Sequence, residues 1–141
     1  MRQAIRSTVA VLLGLATSVA VFLAIGELTV RATTIGAVHW HGPTRYTLAG
    51  LATHLLQLLS SVAVGGSVAA WLARRAALGH ATAVAMCLLA PAVFVDGISD
   101  AYFQPVWYSV SSLLLVIPAG VLGGYIAIRA RPDARQISYG V

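Results

Sequence analysis

The sequence predicts an all-α fold, an integral membrane four-helix bundle of two similar transmembrane hairpins with the N- and C-termini both cytoplasmic. Three observations carry that expectation. Of the 141 residues, 59% are hydrophobic and only 9% are charged. One soluble core of this size could not hide that much apolar surface, whereas a bilayer accepts it on every outward face. The apolar residues also gather into four runs, each suited to a hydrocarbon core that takes roughly 20 residues as helix. Finally, the arginines fall between the runs and mostly to one side of them.

The four runs cover about 9–30, 46–72, 79–95 and 106–128, followed by a tail at 129–141. The whole chain is one transmembrane domain. No alternation of period two passes through the runs, which disfavours a transmembrane barrel.

The first run is preceded by Arg2 and Arg6 and carries Glu27 about one turn from its far end. Its basic start and the small triplet Ala24, Ile25, Gly26 also fit a signal peptide with a cleavage site, but the apolar run is longer than an ordinary signal core. The second run carries His54, Gln57 and Ser61 at helical spacings of three and four, a polar stripe on one face. In the same run Ser61, Gly65, Ala69 and Ala73 fall every fourth residue, a small-residue stripe that lets helix backbones approach closely.

The third run is the shortest. It holds Cys87, which reads as a small core residue, and Pro91, and it ends on Asp96. The fourth holds Pro118 and the GxxxG pair Gly120 and Gly124, again a packing face. Each internal proline removes a backbone hydrogen bond and predicts a local kink, while Pro132 marks the end of the last helix.

Arg2, Arg6, Arg74, Arg75, Arg129, Arg131 and Arg135 all lie on one side of such an arrangement, leaving Arg31 and Arg45 on the other. The positive-inside rule then places both termini in the cytoplasm. Trp40, Tyr46, Tyr102, Trp107 and Tyr108 fall near the outer interface as an aromatic belt, and Trp71 near the inner one. The net charge of +5 is therefore topological; no basic face interleaved with aromatics suggests nucleic acid.

Two internal likenesses suggest a tandem duplication. GGSVAAWLARR from Gly65 and GGYIAIRAR from Gly123 share a glycine pair and two closing arginines, and ATSVAVFLA from Ala16 matches ATAVAMCLL from Ala81. Both likenesses join runs of the same direction. That is the pattern of a parallel repeat and not of the inverted repeats of many transporters.

Ionisable groups inside a membrane are costly and mark candidate sites. Glu27, His54, Gln57 and Asp96 converge in the outer half of the predicted arrangement, where they form either a small proton-linked or solute-binding pocket or a set of interhelical hydrogen bonds. In the first reading Glu27 or Asp96 accepts charge and His54 is the group that exchanges a proton. In the second the acids snorkel to the interface and His54 and Gln57 tie helices together. The second is preferred, because both acids stand within a turn of the interface and no polar path continues to the other half.

His39 and His41 flank Trp40 in a loop and supply two imidazoles of a metal site that needs three or four ligands. A metal-binding membrane protein is thus a further alternative, with no resident metal or cofactor expected. Catalytic signatures such as HExxH, GxSxG, a phosphate loop or a cysteine pair are lacking, so no enzyme activity is expected.

Gly65, Gly66 and Ala69 before basic residues, then Trp107, Pro118, Gly123 and Gly124, resemble features of a loose group of small bacterial four-helix membrane proteins without known activity. Glu27 also invites comparison with the small multidrug resistance transporters, but their remaining motifs are missing. The resemblance implies a multi-pass protein of the bacterial inner membrane. With short loops and no soluble domain, the expected role is non-enzymatic: a packing or accessory component, self-associating or attached to a larger membrane complex. A small transporter or channel is the alternative.

Overall fold

The computed structural model describes residues 2–34, 48–73, 76–99 and 105–131, with residues 2, 33, 34 and 91–99 as backbone only. All of the described secondary structure is helical. The helices are α1 (Arg2–Thr34), α2 (Leu48–Ala73), α3 (Ala77–Ser99) and α4 (Val106–Arg129).

Each helix overlaps one predicted run. The largest difference is α1, whose 33 residues extend beyond the predicted 9–30 at both ends. Glycine and proline, which end helices, are missing between Arg2 and Val9 and between Glu27 and Thr34. At 1.5 Å per residue the helix is about 50 Å long, well over the ~30 Å of a hydrocarbon core. By length and composition α1, α2 and α4 are each able to cross a membrane, and α3 contributes a shorter apolar stretch at Ala77–Ala90.

The helices continue through the internal prolines, Pro91 in α3 and Pro118 in α4. Pro105, in an extended conformation at φ −62°, is the N-cap of α4. Proline suits a helix start because its fixed φ is compatible and its missing N–H has no helical partner there. The last helix stops at Arg129, with the Ala130 N–H returning to Ile126. Pro132 follows closely and disfavours helical conformation at Arg131.

Contacts define the arrangement. Helix α2 packs against each of the other three, α3 does likewise, and α1 and α4 make no substantial contact with each other. Around the core the order is therefore α1, α2, α4, α3, with α2 and α3 meeting across the middle. Gly14 meets Gly65, and Phe22 meets Gln57, so α1 and α2 are antiparallel. His54 meets Tyr108, and Ala70 meets Arg131, so α2 and α4 are parallel.

The core is built from small residues. Ala70, Ala77, Ala81 and Ala127 form one buried cluster, and Val62, Ala85 and Val116 another. Helices that meet through alanine and glycine come close enough for backbone-to-backbone contact, the mode of packing that gains dispersion energy even where lipid surrounds the helices. Large side chains face outward instead, among them Leu12, Leu23, Leu28, Leu56, Leu114 and Leu122.

The glycine pairs explain how α2 and α4 each reach two neighbours. Adjacent helical residues point about 100° apart. A Cβ on Gly65 would lie 1.8 Å from Ser18 Oγ of α1, and one on Gly66 would lie 2.5 Å from the Gly120 carbonyl of α4. On α4, a Cβ on Gly123 would lie 1.9 Å from the Ala63 carbonyl of α2, and one on Gly124 would lie 2.6 Å from Ala81 of α3. Each pair thus opens two faces at once. The two pairs do so in opposite order, since the first glycine of the α2 pair faces its hairpin partner and the first glycine of the α4 pair faces across to α2.

Candidate functional site

The polar residues of the apolar helices meet other helices mainly along α2. Three of its side chains, His54, Gln57 and Ser67, reach another helix, and each does so differently.

Gln57 is buried, and its Nε2 donates to the Phe22 carbonyl of α1 at 2.7 Å. That approach needs room. A helical side chain leans toward the N-terminus and covers the turn before it, so a side chain at residue 26 would screen the carbonyl at residue 22. Residue 26 is glycine, and a Cβ there would stand 2.9 Å from Gln57 Nε2. Gly26 therefore leaves the Phe22 carbonyl open to a donor from α2.

One turn earlier, His54 Nδ1 and the Tyr108 hydroxyl of α4 share a hydrogen bond. The His54 ring also meets Phe22 of α1 edge-on, with centroids 5.6 Å apart and planes at 88°. His54 thereby touches two helices. Tyr108 is 1% exposed, so its ring faces the neighbouring helices and not the surface of the bundle. Trp107 beside it does face outward, with the rings edge to face at 6.0 Å. The signal for Tyr108 was present in the sequence: Tyr108, Ser112 and Val116 extend the Gly120 and Gly124 stripe backward every four residues, and all five are buried.

Ser61 does not cross to another helix, because its hydroxyl donates to the Leu58 carbonyl of its own helix at 2.7 Å. Further along, Ser67 Oγ lies 2.8 Å from both the Ala63 carbonyl of α2 and the Gly123 carbonyl of α4, so one proton is shared between two acceptors. Ser18 Oγ, 1% exposed and against Gly65, has no hydrogen-bond partner among the described residues.

Glu27 stands apart from this group. Its carboxylate pairs with Arg31 one turn on in α1, at 2.9 Å, with both side chains mostly exposed. The backbone of Asp96 belongs to α3, and its side chain lies outside the described residues, as do His39 and His41. Of the four residues predicted to converge, His54 and Gln57 share a neighbour in Phe22, and Glu27 points elsewhere. No cluster of three or more histidine, cysteine, aspartate or glutamate side chains forms among the described residues.

Both predicted packing stripes face inward within the chain. Gly65 and Ala69 close on Gly14 of α1, Ser61 is buried beside them, and Ala73 is half-buried at the helix end. Gly120 and Gly124 close on Ala85 and Ala81 of α3. These stripes are occupied and are not free docking faces. Two further corrections concern single residues. Cys87 is exposed, not in the core. Arg131, predicted only as a topological charge, reaches the end of α2, where its guanidinium donates to the Ala70 and Trp71 carbonyls at 2.5 Å. Carbonyls in the last turn of a helix have no intrahelical donor and carry the negative end of its dipole, so a cation from α4 satisfies both needs.

The arginine-rich end has one more feature, an open groove of about 500 Å³ between α1 and α3. Its walls are mostly apolar, with Ser7, Thr8 and His80 near the helix starts.

Comparison with known proteins adds no relative, since no family model, curated protein or solved structure matches the chain.

Proposed function

We propose that the protein is a small, non-enzymatic, multi-pass protein of a bacterial inner membrane. In this reading four helices form one transmembrane bundle of two similar hairpins, and the protein acts as a packing or accessory component, self-associating or within a larger membrane complex. The supporting observation is what the polar side chains of α2 that reach other helices do. Gln57, His54 and Ser67 are each committed to a neighbouring helix, and Glu27 is paired at the surface.

The helix directions support the orientation with both termini in the cytoplasm. They bring the starts of α1 and α3 and the ends of α2 and α4 to one side, together with Arg6, Arg129 and Arg131, the side that the positive-inside rule assigns to the cytoplasm. The outward leucines supply the surface that lipid or another membrane chain would cover.

A proton-linked transporter built on His54 is the competing reading. Wild type and His54→Ala in sealed vesicles with an imposed pH gradient separate the two. The accessory reading expects the same slow decay of the gradient from both, and a lower thermal midpoint for the variant in detergent. A wild-type flux that His54→Ala abolishes without loss of stability would replace it with transport.

A further inference from the structure

We infer that the groove between α1 and α3 seats one acyl chain of an anionic phospholipid, with the phosphate held at the arginine-rich end. This rests on the membrane reading above and names a ligand for one face of the protein.

Shape and composition come first. Val11, Leu12 and Leu15 of α1 form one wall, and Gly79 and Ala83 of α3 form the other, ending at Cys87. The groove exists because α3 presents small residues there. Gly79 is unlike the glycines of α2 and α4, for a Cβ on it would meet nothing within 4 Å. No helix contact requires that glycine, and its lack of a side chain leaves the space open.

Length comes second. The lining runs from Ala76, the residue before α3, to Cys87, which is 11 residue steps or about 16 Å at 1.5 Å per residue. Half of a ~30 Å hydrocarbon core is about 15 Å, the depth of one leaflet. An acyl chain of that leaflet therefore matches the groove from end to end.

Charge comes third. Ser7, Thr8 and His80 line the groove where α1 and α3 begin, and Arg6, exposed, precedes Ser7 in α1. In the sequence Arg2 precedes this end of α1, and Arg74 and Arg75 immediately precede Ala76, while no acidic residue occurs before Glu27 or between Glu27 and Asp96. Arginines that precede both groove-lining segments in the sequence complement a phosphate joined to a hydrocarbon tail. An uncharged amphiphile or a second copy of the basic chain does not match them.

The test uses the full chain in phosphatidylcholine vesicles with a trace of phosphatidylglycerol bearing a photoreactive group on its acyl chain. After illumination, attachment sites are mapped by mass spectrometry. Attachment should concentrate on residues 7–15 and 76–87, and should be competed by unlabelled phosphatidylglycerol but not by extra phosphatidylcholine. Gly79→Leu should remove the concentrated signal and keep the diffuse labelling of outward leucines such as Leu23 and Leu114. Arg6→Gln should weaken the preference for phosphatidylglycerol about fivefold, the equivalent of ~1 kcal/mol for one arginine at an anionic surface. Diffuse labelling unchanged by Gly79→Leu would overturn the site while leaving the membrane reading intact. Labelling of no helix at all would overturn both. Protection of the groove that rises with protein density in pure phosphatidylcholine would assign it to a second copy and overturn the lipid.

Discussion

Gln57 of α2 donates to the backbone carbonyl of Phe22 in α1, and the glycine at residue 26 is what leaves that carbonyl accessible. The two helices are joined there by a polar bond within an apolar surface, at a point fixed by one side chain that is present and one that is missing. Hydrogen bonds between membrane helices are worth about 0.6 kcal/mol on average and up to ~1.7. Gln57→Leu is expected to lower stability by that amount, measured as unfolding in detergent. Because Gly26 and Gln57 act on the same contact, Gly26→Ala should cost less in the Gln57→Leu background than in wild type. Fully additive effects would show that the two residues are independent.

Gly123 and Gly79 differ in whether a neighbour requires the missing side chain. A Cβ on Gly123 would meet the Ala63 backbone, which cannot move without separating α2 from α4. Gly123→Ala should therefore destabilise by about 1–3 kcal/mol, the usual cost of overpacking. Gly79→Ala faces open space and should be neutral or stabilising by up to ~1 kcal/mol, the gain in helix propensity. Thermal midpoints of the two variants in one detergent check the contrast.

Arg131 closes the end of α2 from the end of α4. Arg131→Gln removes the charge that faces the helix dipole and weakens the bonds to the Ala70 and Trp71 carbonyls, with an expected cost of about 1–2 kcal/mol. Amide hydrogen exchange locates the effect: faster exchange is expected in the last turns of α2, with the Gln57 region unchanged. Uniform acceleration along α2 would mean that Arg131 does not act as a local cap.

Much of the helix layout was legible because apolar run length and arginine position report directly on what a bilayer tolerates. Packing faces were legible for a similar reason, since Gly65, Ala69, Gly120 and Gly124 repeat at the helical period. Misreadings arose where a residue type has two uses. Tyr108 stands at a helix start, where an aromatic suits an interface, but its phase on α4 turns it toward His54. Arg131 contributes equally to a charge count whether it faces water or caps a helix, and only the meeting of α2 and α4 distinguishes the two. Cys87 lies in an apolar run, yet its face of α3 borders the groove. Glu27 and His54 were expected to converge because they share a depth, whereas the rotation of α1 about its axis sends Glu27 outward to Arg31.

With the glycine stripes occupied inside the chain, the outward apolar surface is the face that the described helices offer for association. The most direct test of the accessory role is the native mass of the protein after mild-detergent extraction from its source membrane, with identification of every chain that accompanies it. The account predicts a stoichiometric assembly, either of several copies or with another membrane chain, that survives dilution. A monomer carrying only detergent and lipid would contradict it.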